Sequence, residues 1–375
     1  MSHDFLLTRS VVWKRTGWLV AALALVAAIS VSAPRLRAAD TLPGRMADEA
    51  FWKLIDDSSE PGGVFQSENF LSNETGFQVV IPRLKASTRP DGVYLGVGPE
   101  QNFTYIAAVR PKIAFIIDIR HQNMLEHMIY KALFEMSANR ADFVSRLFSR
   151  KRPAGLTEQS TADDIFRAYD TAPIDNDAFT KNLQDINNLL LKQHQFGLTS
   201  EDESNIEHVY TVFHDFGPDI DYNSSTGRGG GRRFGGGGMP NYVDLMVATD
   251  LQGEARSYLA TEENYRVLRD LEGRNLVVPL TGDFGGTRAI RAVGRYLKDH
   301  NATVTAFYLS NVERYLFQSN GNQNGGWTNF YDNVATLPLD ASSTFIRSGG
   351  NGGPGGAAAC ARQTFSPRCG TRLRR

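Results

Sequence analysis

GVYLGVGPEQNFTYIAAVRPKIAFIIDIRHQNMLEHMIYKALFE, Gly92 to Glu135, reads without a break as strand, glycine turn, helix, strand, acidic residue and helix. Val93 to Val97 is a short apolar run that stops at Gly98 and Pro99. Asn102 to Val109 suits a helix ending before Pro111, and Ile113 to Ile117 is a second run of buried-strand type. Parallel strands need a crossover connection, and its right-handed form brings the ends of both strands to one sheet edge. Asp118 is therefore expected beside the glycine turn.

Chemistry follows from that edge. Gly96 and Gly98 remove side chains, so that a ligand can approach backbone N–H groups at a helix N-terminus. Asp118, twenty residues after Gly98, has the type and spacing of the acid that accepts ribose hydroxyls in dinucleotide-binding folds, although Gln101 stands where G-x-G-x-x-G has its third glycine. The same residues also suit a bare tight turn, with Asp118 capping the helix from His121.

The chain has 375 residues, 41% of them hydrophobic, and a formal net charge of -1. That is ordinary for one large or two modest globular domains and offers no electrostatic case for nucleic acid. Its two cysteines, Cys360 and Cys369, both lie in the tail, so no disulfide framework or cysteine metal site supports the core. The seven histidines do not fall at metal-ligand spacing, no metal is expected, and no G-x-S-x-G or H-E-x-x-H marks a hydrolase.

At the N-terminus Arg9, Lys14 and Arg15 precede the apolar run Trp18 to Ala33, and small residues follow at Ala38-Ala39. This pattern predicts a signal peptide over 1–39 and an exported, periplasmic or extracellular domain. The run of 16 residues is short of the about 20 needed to span a bilayer. An uncleaved N-terminal anchor is the alternative, and the membrane is expected as a partner only through it.

Residues 40–90 read as a helical segment packing on the core, with Ala50, Phe51, Leu54 and Ile55 at helical spacing. In Asn69 to Leu84, Ser72 or Asn73 suits a helix cap ahead of Glu74, in a segment that in nucleotide-binding sheets often crosses the pocket mouth. The main domain spans 91–348. Within it His121 to Phe148 reads as one long helix with an apolar methionine-rich stripe, and Ala162 to Leu191 as further helix. Asn205 to Phe213 reads as a third main strand ending in His214 and Asp215, and Asn275 to Thr281 as a buried strand opening onto Asp283. Polar groups at strand ends lie in the ligand crevice of open α/β sheets, which makes His214, Asp215 and Asp283 candidate acid–base residues. The bland reading of the first two is that they cap loops.

Thr303 to Leu309 supplies another strand, and Ala335 to Leu339 with Thr344 to Arg347 suit an edge hairpin. The glycine-rich insertion 224–240, with Arg228, Arg232 and Arg233, reads as a mobile loop, and the tail 349–375 as disordered. Alternating strands and helices imply an α/β three-layer sandwich with a mainly parallel, Rossmann-like sheet.

From Gly92 to Phe148 the chain resembles class I S-adenosylmethionine-dependent methyltransferases, on the turn YLGVGPEQN and on Asp118. KALFEMSANRADFVSRLFSR is similar to the matching helix of betaine-lipid aminocarboxypropyl transferases. SNETGFQ, GDFGGTRAIRAVGRYL and FYLSNVERYLF resemble an uncharacterised family of exported bacterial proteins. The first resemblance implies a seven-stranded type of sheet, S-adenosylmethionine as cofactor held by Gly96, Gly98, Glu100, Asn102 and Asp118, and transfer to an unknown small-molecule acceptor. Glu100 and Asn102 replace two glycines of that family's turn, and a carboxylate at Glu100 would repel the carboxylate of the cofactor. Export also stands against a cofactor made in the cytosol, so the alternative is an exported, non-catalytic module binding a small ligand or an envelope partner.

Overall fold

Five of the apolar runs pair as strands in a computed structural model, which describes residues 39–224, 239–318, 326–348 and 357–361. The chain divides into Met1–Asp40 and Thr41–Arg375, and the fold below is that of the second unit. Strands β1 (Val93–Gly96), β2 (Ile113–Asp118), β3 (Val277–Thr281), β4 (Val304–Ser310) and β5 (Leu339–Ser348) are joined in the order β3-β2-β1-β4-β5, all parallel. The first three are buried along their whole length, as strands covered on both faces must be, hence their continuous Val, Ile, Leu and Phe.

Helix α1 (Asp48–Ser58) packs on β3 and on α11 (Ala289–Asp299), which also meets α13 (Gly326–Ala335); this is one outer layer. The other layer holds α3 (Gln101–Val109), α4 (His121–Met136), α8 (Ser200–Phe216) and α10 (Glu262–Gly273). Between them in sequence lie α5 (Arg140–Phe148), α6 (Ala162–Tyr169), α7 (Asn176–Asn187) and α9 (Tyr242–Val247), while α2 (Ile81–Ser87) precedes β1 and α12 (Val312–Gln318) follows β4. The result is the expected three-layer, Rossmann-like α/β sandwich. Strand order reverses between β1 and β4, so the crevice outside their C-terminal ends is the natural ligand position.

Several expectations are corrected. Asn205 to Phe213 is not a strand but the middle of α8. Thr199 accepts from the Asp202 amide while Asp202 bonds back to the Thr199 amide, and this capping box starts a helix whose Ile206, Val209, Tyr210 and Phe213 form one buried stripe. The long helix from His121 breaks at Ser137, which is extended, and restarts where the Asn139 side chain caps the Asp142 amide. Ala162 to Leu191 likewise divides into α6, α7 and a π-helical turn, Asn188–Gln193. Ser72 caps no helix; its hydroxyl accepts from the Glu74 amide in a local turn, and the helical segment begins at Phe77.

The expected edge hairpin is absent: Ala335 ends α13 and β5 runs unbroken from Leu339. Its antiparallel partner comes from the tail that composition assigns to disorder, as β6 (Ala357–Ala361), pairing Thr344 with Ala361 and Ser348 with Ala357. The sheet therefore has six strands among the described residues rather than seven. Residues 1–38 of the signal or anchor segment 1–39, residues 225–238 of the glycine-rich insertion 224–240 and Cys369 lie outside the described residues. Among those described, no helix is long and apolar enough to cross a membrane.

Candidate functional site

A crevice partly open to solvent lies over the C-terminal strand ends, where open α/β sheets bind their ligands. Gly98 and Pro99 follow β1, Asp118 and Ile119 end β2, Gly282, Asp283 and Phe284 follow β3, and Ser310 and Asn311 leave β4; all line it. Phe65, Tyr222, Tyr315 and Leu316 add an apolar wall, and the segment bearing Asn69, Ser72 and Asn73 crosses the mouth, where the sequence pattern puts it.

The glycine turn is held from below. Gly98 has φ +81, a left-handed conformation that glycine adopts without steric penalty. The Asn102 side-chain amide donates to the carbonyls of Val97, Gly98 and Pro99 at 3.0, 3.1 and 2.7 Å, and its Oδ1 accepts from the Tyr94 hydroxyl at 2.8 Å. Gly96 is required by this arrangement, because a Cβ there would stand 1.9 Å from Asn102 Oδ1. Asn102 thus acts as a buried brace that turns the loop carbonyls inward, rather than as a surface the ligand touches. His127 completes the brace at 2.9 Å from the Gly98 carbonyl. Burial pushes this imidazole down to about 4, so the ring is neutral and its Nε2–H donates.

Glu100 does not face the crevice either. It is fully buried, Oε2 accepts from the Ser72 amide at 3.3 Å, Oε1 has no partner, and burial raises the carboxyl to about 8. At neutral pH it is a neutral acid, so the repulsion expected between Glu100 and a ligand carboxylate does not arise. Glu126, one turn into α4, is buried with both oxygens unpartnered, and burial likewise raises it well above the usual carboxylate range.

Asp118 lies where the βαβ reading puts it, but not as a free acceptor. Arg120 grips it with a two-pronged fork, Nε to Oδ1 at 2.9 Å and Nη2 to Oδ2 at 3.0 Å, and the Arg120 amide adds a third bond to Oδ1 at 2.9 Å. A carboxylate offers about four acceptor positions, so one remains, on Oδ2. Arg120 Nη1 also binds the carbonyls of Glu68 and Asn69, tying the crossing segment to the sheet edge. Sequence reasoning missed Arg120, although a basic residue two positions beyond a strand-end acid was there to be noticed. It also missed the apolar wall, whose members come from two loops, at Phe65 and Tyr222, and from α12, at Tyr315 and Leu316.

Asp283 joins the crevice, with Oδ1 accepting from the Gly285 amide at 2.8 Å. His214 and Asp215 do not. They sit at the C-terminal end of α8, where His214 bonds Asp215 at 2.8 Å and Asn176 at 3.1 Å, and neither lines the crevice. Their expected place at a strand end fails because the strand is a helix.

The β4 end holds a constellation that the sequence did not single out. Ser310 donates to Glu74 Oε1 at 2.6 Å, and Ser348 bonds the same oxygen. Tyr105 and Tyr308 lie against it, and burial, with Glu74 adding, raises both phenols well above their usual value.

The chain belongs to the family described as Domain of unknown function (DUF7790), whose model matches residues 69–364. No curated protein matches the chain.

Proposed function

We propose that this DUF7790 protein is a transferase that uses S-adenosylmethionine, acting on a small-molecule acceptor. The observation that carries the reading is the adjacency, at the switch point of a parallel sheet, of a glycine turn whose carbonyls are turned away from the crevice and an acid ending the next strand. A molecule lying across β1, β2 and β3 would set its amino-acid end at Gly98, a ribose hydroxyl at the one open position of Asp118, and its base near Ile119, Gly282 and Asp283. Bound there, S-adenosylmethionine supplies a carbon made electrophilic by its sulfonium. The acceptor then occupies the β4 side, against Ser72, Asn73, Ser310, Asn311 and the apolar wall. Asp283 on this reading serves the base rather than the acceptor, and His214 and Asp215 take no part.

Calorimetric titration with S-adenosylmethionine and S-adenosylhomocysteine tests this. Both should bind the wild type, and Asp118→Ala should weaken them at least tenfold; no binding, or binding indifferent to Asp118, overturns the cofactor. The Arg120 fork favours a second reading, an exported binding module without catalysis, since most of the Asp118 acceptor capacity is already used. Export itself is part of the proposal, inferred from the N-terminal segment, and requires the cofactor to be loaded before translocation. Cell fractionation decides the compartment.

A further inference from the structure

Ser310 closes β4 with φ +47, a left-handed backbone that a residue with a Cβ adopts only when its surroundings hold it there. The chain turns at once into α12 at Val312, and this sharp strand-to-helix corner puts Ser310 in the lining of the crevice. Behind it stands Glu74, 7% exposed, whose Oε1 accepts from Ser310 at 2.6 Å, within the range of a hydroxyl bound to a carboxylate. Ser348 shares Oε1, while Oε2 is buried with no hydrogen-bond partner. The partners of Glu74 Oε1 are thus both hydroxyls. Burying a carboxyl that only hydroxyls serve costs free energy.

We propose that Ser310 and Glu74 form a proton-accepting pair at the β4 end of the crevice, serving an acceptor that attacks through a hydroxyl or amine. The proposal rests on the transferase reading above. In the step, the acceptor gives its proton to Ser310 Oγ as Ser310 passes its own to Glu74 Oε1. The acceptor lone pair forms the new bond to the transferred carbon, and the broken carbon–sulfur bond leaves its electron pair on sulfur. The proton ends on Glu74, and charge balances as sulfonium becomes thioether. Ser348 holds Oε1 in line and takes no proton.

Such a pair makes Ser310 Oγ nucleophilic whether or not a cofactor is present, which allows a test on the full chain with a fluorophosphonate probe. The Ser310 oxygen bonds phosphorus, fluoride leaves, and the serine proton goes to Glu74. The result expected is labelling that peptide mapping assigns to Ser310, abolished in Ser310→Ala and reduced at least tenfold in Glu74→Gln. Should Glu74→Gln not fold, Glu74→Asp, with its carboxylate one methylene short, replaces it with the same expectation. Absence of labelling at Ser310 in the wild type, or labelling indifferent to Glu74, overturns the pair. Titration of the same preparations with S-adenosylhomocysteine judges the cofactor separately: labelling without binding removes the cofactor and keeps the pair, and binding without labelling does the reverse.

Discussion

Replacing Glu100 by Gln should remove most of one component of the protein's pH dependence. Its carboxyl is raised from 4.5 to about 8, with burial as the main cause. Below the unfolded value both states carry the proton, and the group contributes nothing to pH dependence. As pH rises through 4.5 the unfolded chain loses its proton while the folded protein keeps it, so stability falls by about 1.4 kcal/mol per unit until the folded group titrates near 8. Between pH 5 and pH 7 this amounts to roughly 2–3 kcal/mol lost in the wild type, and none of it in Glu100→Gln, which cannot ionise. Glu272, also raised to about 8 by burial, titrates in both proteins and cancels in the difference. Gln keeps an oxygen to accept from the Ser72 amide, while its NH2 takes the place of an oxygen that has no partner, a penalty that is the same at every pH. Urea unfolding of both proteins across pH 5 to 8 is the assay, read as the change in their stability difference. Parallel profiles would show that Glu100 is ionised in the folded protein, and the ligand-repulsion argument at the turn would return.

Asp118→Asn should destabilise by about 3–5 kcal/mol, since it strands the Arg120 guanidinium, itself only 7% exposed, beside a neutral amide; denaturant unfolding at neutral pH measures it. Gly96→Ala places a methyl carbon 1.9 Å from Asn102 Oδ1, and the displaced brace should cost about 1–3 kcal/mol together with the crevice's ligand binding, checked by melting and by calorimetry. His127→Phe, by removing the donor to the Gly98 carbonyl, should weaken ligand binding at the turn more than it lowers stability, with calorimetry and melting run side by side. His214→Ala should leave S-adenosylmethionine affinity within about twofold, because it does not line the crevice and its bonds are to Asp215 beside it and to Asn176 at the start of α7; a large loss would mean that the crevice reaches further than its lining residues.

Much of the sheet was legible because a strand covered on both faces cannot hide its composition. Val93, Ile113 and Val277 all begin runs without a polar interruption, and each is a strand. Asn205 to Phe213 misled because a β-branched and aromatic mixture over nine residues fits either period, and only the capping box upstream, at Thr199 and Asp202, separates them. The break at Ser137 was hidden for a related reason: the apolar stripe continues across it, and a cap at Asn139 is a local hydrogen bond that periodicity does not register.

The candidate site divides along the same line. Gly98 and Asp118 could be placed together from sequence because one βαβ unit of fixed handedness brings them there, a matter of local connection and backbone chirality. Only the tertiary structure decided what Asp118 is free to do, since the carbonyls of Glu68 and Asn69 fix Arg120 from a segment some fifty positions away. It likewise decided that Glu100 and Asn102 turn inward and that Glu74 meets Ser310, 236 positions apart. Such meetings depend on how layers pack around the sheet, and packing depends on the whole chain at once, whereas a strand, a turn and the hand of a crossover are written in a few neighbouring residues.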